Sequence, residues 1–280
     1  MNYRHAFHAG NFADVIKHAT LVFVLQHLKK KEKPFAIIDT HAGRGMYETA
    51  GVEAQKTGEI ADGIGRLLPL SSVPGILGDY LSVVRTFGED RYPGSPLIAA
   101  RMLRPKDRLI AVESESAEFD ILAKELSGIR NARAVLGDGY RELSRLLPPP
   151  ERRAAVLIDP PYEREDEFAR AAEMLVAAHR RFATGIYLLW YPAKLLPLVG
   201  ATSAELLNAG IRSLVRFELD VGAKVAPKPD RGPPMTATGI LVVNPPFGLT
   251  AEMQTVLPFL AEILAQGPGA AGRTEILAER

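Results

Sequence analysis

The chain has 280 residues, enough for one large domain, and 47% of them are hydrophobic, enough for a substantial core. Its formal net charge of +1 excludes a global basic field for nucleic acid, so any such surface must be local. It has no cysteine, which excludes disulfide frameworks and thiolate metal sites.

The chain opens MNYRHAFHAGNFADVIKH, without the apolar stretch of a secretory leader. No apolar run approaches the ~20 residues that span a bilayer, so the expectation is a soluble, cytoplasmic protein. On a helix here, Asp14 would share a face with Lys17 or His18. Lys29, Lys30, Lys31 and Lys33 follow, and read as a solvated helix end or as a local basic patch. Short apolar runs then recur at 35–39 (FAIID), 109–113 (LIAVE), 134–136, 154–159 (AAVLID), 186–190 (IYLLW), 214–219 (LVRFEL) and 239–244 (GILVVN). Each is bounded by glycine, proline or polar turns and reads as a buried strand. Residues 118–126 and 168–181 have helical spacing. Strands alternating with helices predict an α/β domain around a mostly parallel sheet. The gap between the first two strands is far longer than a crossover needs, so about 47–96 reads as an inserted helical subdomain. The Gly- and Ala-rich tail, 266–280, is expected to be mobile.

The motif richest in chemistry is Asp159-Pro160-Pro161-Tyr162, at the end of a strand, where open α/β sheets place ligands. An adenine N6 amine is a poor nucleophile because its lone pair is delocalised into the ring. The Asp159 carboxylate and the Pro160 carbonyl can accept its two N–H groups, and the prolines aim that carbonyl in advance. Tyr162 offers a flat face for a base, worth ~1–3 kcal/mol if it stacks. This is the chemistry of amine methylation, with S-adenosyl-L-methionine as the expected cofactor. Further strand ends carry matching groups. Asp39-Thr40-His41-Ala42-Gly43-Arg44-Gly45 is a glycine turn that lets a ligand approach backbone. Glu113 suits ribose hydroxyls, and Asp138-Gly139 suits the cofactor's adenine amine. Asn244-Pro245-Pro246-Phe247 competes with Asp159, but it ends the seventh strand. In a methyltransferase sheet that strand runs antiparallel, so its end points away from the cofactor. His5, His8, His18 and His41 match no common metal-ligand spacing, and no metal is expected.

The segments YRHAFHAGNFADVIKH, DTHAGRG, YPGSPLIA, DPPY, RFATGIYLLWYP, MTATG and NPPF occur in one order along nearly the whole chain. In them the chain closely resembles the RlmJ family, 23S ribosomal RNA adenine-N6 methyltransferases. The resemblance implies a Rossmann-like class I S-adenosylmethionine-dependent methyltransferase with an inserted helical subdomain. It implies Asp159 as the catalytic acceptor of the adenine amine. Lys17, His18, His41, Ser95, Glu113, Asp138, Gly139 and Asp159 would contact the cofactor. Tyr3 would meet the target adenine or gate its entry. The family often reads His-Pro after the second strand's acid, where this chain has Ser114-Glu115-Ser116. The expected partner is 23S ribosomal RNA, methylated on a flipped-out base by a monomeric chain, with no membrane or metal partner. Arg180, Arg181, Arg212, Arg216, Lys224, Lys228 and Arg231 are candidate phosphate contacts. DNA adenine or protein glutamine methylation and non-catalytic RNA binding are the alternatives. Glutamine methyltransferases typically carry Asn in place of Asp159.

Overall fold

A computed structural model describes residues 8–49, 58–223 and 235–279. The first helix, α1 (Phe12–Lys29), is capped by Asn11, whose side chain accepts the amides of Ala13 and Asp14. Its residues are apolar on nearly every side, and it is buried from Phe12 to Val22. That pattern suits a helix wrapped by other elements rather than one lying on a surface.

The sheet is built from β1 (Ala36–Asp39), β4 (Arg108–Glu113), β5 (Ala132–Leu136), β6 (Ala154–Ile158), β7 (Ile186–Pro192), β8 (Leu214–Asp220), β9 (Ala237–Val243) and β10 (Ala271–Ala278). Their order is β10-β8-β9-β7-β6-β1-β4-β5. β5, β4, β1, β6 and β7 run parallel. β9 is antiparallel to both β7 and β8, and β10 is antiparallel to β8. Every residue of β1, β6, β7 and β9 is buried, as unbroken apolar runs require when both faces are covered. From β1 the chain winds outward through β4 to β5, then returns to lay β6 on the other side of β1. Open α/β sheets bind ligands at such a reversal, here beyond the carboxyl ends of β1 and β6.

Between β1 and β4 the chain forms β2 (Met46–Glu48), α2 (Glu59–Asp62), α3 (Ile64–Leu67), α4 (Ile76–Arg85), β3 (Arg91–Pro93) and α5 (Ser95–Met102). β2 and β3 pair antiparallel. The Ile64 amide bonds the Gly10 carbonyl at 2.8 Å, and Asn11 Nδ2 bonds Glu59 at 3.0 Å, so these helices hold the start of α1. The rest of the covering layers comes from α6 (Ser116–Leu126), α7 (Gly139–Leu146), α8 (Glu167–Arg181), α9 (Leu196–Asn208) and α10 (Leu249–Ile263). The tail departs from its expected mobility. Ala271–Ala278 is an edge strand in register with β8, Ala271 opposite Asp220. Ladder hydrogen bonds order it, and composition does not reveal those.

Candidate active site

Asp159 follows β6, and its side chain is 13% exposed. Lys17 Nζ reaches it from α1, 2.5 Å from Oδ2, and lies 2.7 Å from Asp14 Oδ1. Asp14 Oδ2 in turn accepts the Gly10 amide at 2.8 Å. Burial alone would lower the Lys17 pKa, but the Asp14 and Asp159 carboxylates outweigh it and hold the ammonium charged, above the lysine range. One oxygen of Asp159 is thus committed to Lys17. The other, Oδ1, makes no hydrogen bond among the described residues.

Asp39, at the end of β1, is buried and accepts the Ser95 hydroxyl at 2.6 Å. Burial pushes its carboxyl up to about 7; the Ser95 bond opposes that and the charge on Asp159 adds to it. Lys17, Asp39, Ser95 and Asp159 therefore form one cluster. His18 lies deeper: it is 1% exposed, with Nδ1 2.7 Å from the Tyr92 hydroxyl. That hydroxyl is 2.9 Å from the hydroxyl of Tyr80.

The neighbouring strand ends carry the remaining candidates. His41 Nδ1 lies 2.8 Å from the Thr40 hydroxyl, and its ring meets Tyr140 edge-on at 5.1 Å. Burial lowers its pKa to about 4, so it is neutral at neutral pH. Gly43, at φ 62°, turns the loop so that its amide donates to Glu113 Oε2 at 2.8 Å. The Glu115 amide donates to Glu113 Oε1 at 2.8 Å, so the segment that differs from the family pattern still orients this acid. Burial raises the Glu113 pKa, against these backbone bonds. Asp138 caps α7 through the Tyr140 amide at 2.8 Å. A Cβ on Gly139 would sit 2.0 Å from the Thr40 carbonyl oxygen, so only glycine lets α7 start this close to β1.

Tyr162 corrects an expectation. It adopts φ 51°, which turns its side chain inward, and it is 3% exposed. Its ring packs 6.0 Å from Phe168 and 5.7 Å from Trp190, and its hydroxyl donates to the Trp190 carbonyl. The stacking face is covered, and the residue pins the loop instead. Lys194 adds a bond to the Tyr162 carbonyl at 2.6 Å. Sequence reasoning missed Trp190, over whose ring Lys17 Nζ sits at 5.6 Å. Its signal was an aromatic near the end of β7, one residue past the pairing of Ile158 with Leu189.

Asn244 lies at the other end of the sheet, because β9 runs against β7. Its Nδ2 donates to the carbonyls of Ala183 and Gly185, ahead of β7, at 2.8 Å each. Arg180, Arg181 and Arg212 also precede strand starts, so they sit away from Asp159. Arg216 is engaged by Glu218 and Glu275. Tyr3, His5, Lys224, Lys228 and Arg231 lie outside the described residues. His8 pairs with Glu59 at 2.9 Å. No described helix is long and apolar enough to cross a membrane.

The donor set fits S-adenosylmethionine. Glu113 points an acid at a glycine turn, Asp138 stands at a helix start, and Asp159 brings a carboxylate with a free oxygen to the carboxyl end of β6, which suits a sulfonium. A family model described as "RsmJ: Ribosomal RNA large subunit methyltransferase D, RlmJ" matches residues 32–276. The chain is 40% identical, over 284 residues and 100% of both chains, to Ribosomal RNA large subunit methyltransferase J of Escherichia coli (strain K12). It is 39% identical, over 278 residues and 96% of both, to the protein of that name from Haemophilus influenzae. A crystal structure of protein LPL1258 from Legionella pneumophila has a TM-score of 0.84 and 33% identity, covering 96% of this chain and 97% of that one. The sheet has the Rossmann-like order of class I S-adenosylmethionine-dependent methyltransferases, with β10 added at its edge. The chain belongs to the RlmJ family of ribosomal RNA large subunit methyltransferases.

Proposed function

We propose that this protein methylates the exocyclic N6 amine of an adenine in 23S ribosomal RNA. The observation that carries the reading is Asp159, fixed through one oxygen by buried Lys17 and keeping the other for a substrate amine. S-adenosylmethionine, when bound, supplies an electrophilic methyl group on a sulfonium. Glu113, Asp138 and Gly139 would hold its adenosine part, and Lys17, His41, Ser95 and Asp39 would line its amino-acid end. Asp159 Oδ1 and the Pro160 carbonyl accept the two N–H bonds of the amine, which draws the nitrogen toward a pyramidal geometry and frees its lone pair. Because Lys17 and the pinned Tyr162 loop set these acceptors beforehand, little reorganisation remains for the transition state. The target adenine must leave its stack to reach them. The family relation supports RNA, and Asp rather than Asn at position 159 supports a base amine over a glutamine side chain.

The test uses protein-free 23S RNA from cells lacking this protein, labelled S-adenosylmethionine and digestion to nucleosides. Label in N6-methyladenosine, lost with Asp159→Ala, is expected. Label in another nucleoside would overturn the N6 assignment, and no label with cofactor affinity intact would overturn the substrate.

A further inference from the structure

The chain is nearly neutral overall, yet cations gather at the sheet edge opposite Asp159. Lys29 at the end of α1, and Lys30, Lys31 and Lys33 between α1 and β1, are exposed. Their backbone is clamped from below. Arg104 donates to the carbonyls of Lys29, Lys31 and Lys33 at 3.3, 2.9 and 3.1 Å. Arg153 donates to those of Leu28 and Lys33 at 2.7 and 2.5 Å. Glu32 and Asp107 offset part of this charge, and Asp107 is already bound by Arg104. The crowding registers on His27, whose pKa is lowered by burial and then by Lys30, Lys31 and Arg153.

A second feature stands on the same edge. Phe247 is 92% exposed, beyond every other exposed large hydrophobic side chain among the described residues. Its loop is rigid: Asn244 is anchored to two carbonyls, two prolines follow, and the Leu249 amide bonds the Pro246 carbonyl at 3.0 Å. The next residue, Gly248, faces α1, where a Cβ would lie 3.6 Å from Phe23 Cζ. Phe23 precedes Lys29 by ~9 Å along the helix. The lysines, just before the start of β1, and the aromatic ring, just after the end of antiparallel β9, therefore lie at the same end of the sheet. β1 and β6 are four and five residues long, so the sheet's length along its strands alone sets them ~13–17 Å from Asp159.

We propose that this edge is a second contact for the RNA substrate, with Lys29, Lys30, Lys31 and Lys33 on phosphates and Phe247 stacked on an unpaired base. The inference rests on the RNA reading above. A rigid, solitary aromatic beside cations suits a splayed-out base, because every base offers a π-face while phosphates follow the backbone. A membrane surface would call for several apolar side chains along one amphipathic face. The distance to Asp159 means that the RNA must extend past the immediate neighbours of the target adenine.

The test compares Lys30→Glu/Lys31→Glu and Phe247→Ala with the native full-length chain, on a long 23S fragment and on a minimal hairpin carrying the target. Dissociation constants are measured by filter binding across salt concentrations. On the long fragment the lysine variant is expected to bind roughly 10- to 100-fold more weakly, with a salt slope smaller by ~0.7–0.9 for each phosphate that is no longer neutralised. Phe247→Ala is expected to weaken binding roughly 5- to 100-fold. KM for the long RNA should rise far more than kcat falls, and the native preference for the long fragment should shrink in both variants. Native methylation with affinities and salt slopes unchanged in both variants overturns this inference alone. Weaker binding confined to the lysine variant overturns the stacking role of Phe247. Unchanged RNA affinity with abolished binding to phosphatidylserine vesicles overturns it in favour of a membrane surface. A native protein that methylates no 23S RNA overturns instead the reading on which the inference rests.

Discussion

Lys17 joins two carboxylates that would otherwise repel each other in a buried space. With Asp14 and Lys17 at 1% and 3% exposure, water cannot replace the ammonium. Lys17→Met should cost about 3–5 kcal/mol in denaturant unfolding, as breaking one side of a buried pair does. It should also cut kcat by more than Asp14→Asn does, because Asp14→Asn leaves the Lys17–Asp159 contact in place. Equal kcat in the two variants would mean that Lys17 does not position Asp159. Asp39 makes a pH prediction. Its folded pKa of about 7 lies above its ordinary 3.8, so the folded state binds that proton more tightly. Its contribution to stability is present below pH 3.8 and is lost as pH rises to about 7. His41, lowered to about 4, acts oppositely, adding stability as pH rises from about 4 to 6.5. Asp39→Asn removes only the first effect, so variant stability relative to native should improve steadily between pH 4 and 7. Urea midpoints across that range would show it, and a flat difference would contradict the burial of a charged Asp39. At this scale the acids were legible in the sequence because each closes an apolar run. The inward turn of Tyr162 was not, because its positive φ is set by the loop and not by the residue type.

Elements follow the same division. Strands with unbroken apolar runs were legible to within a few residues, since burial on both faces writes itself into composition. The short pair β2 and β3 was not, and neither was β10, whose AGRTEILA alternates weakly and is exposed or half-buried throughout. Such strands owe their order to a partner's hydrogen-bonding edge. β10 covers the edge of β8, and Arg216 pairs with Glu275 across them. Truncation after Gln266 would leave that edge open, a template for association with another chain. The shortened protein should melt several degrees lower and form aggregates by light scattering near its transition. Unchanged melting without aggregation would return the tail to the mobile segment its composition suggested.

Across the whole molecule, one topological fact separates two nearly identical tetrapeptides. Asp159-Pro-Pro-Tyr and Asn244-Pro-Pro-Phe each follow a buried strand, and local sequence alone gives both the same chemistry. β6 runs parallel to β1, so Asp159 emerges at their carboxyl ends, beside Asp39. β9 runs antiparallel to β7, so Asn244 emerges at the far edge, where its amide ties down the turn before β7. That Asn244 ends the seventh strand was legible in the sequence, and the methyltransferase arrangement supplied its antiparallel direction; the partners of Asn244 were not legible, because they come from a segment some sixty residues away. Asp159→Ala should therefore abolish methyl transfer at saturating cofactor with the fold retained, because Asp14 still pairs Lys17. Asn244→Ala should leave two carbonyls without their donor, costing about 1–3 kcal/mol of stability, while turnover at saturating RNA survives. Single-turnover rates and denaturant midpoints on the two variants measure both halves. If Asn244→Ala removed turnover while Asp159→Ala did not, the catalytic edge would have to be reassigned to the opposite end of the sheet.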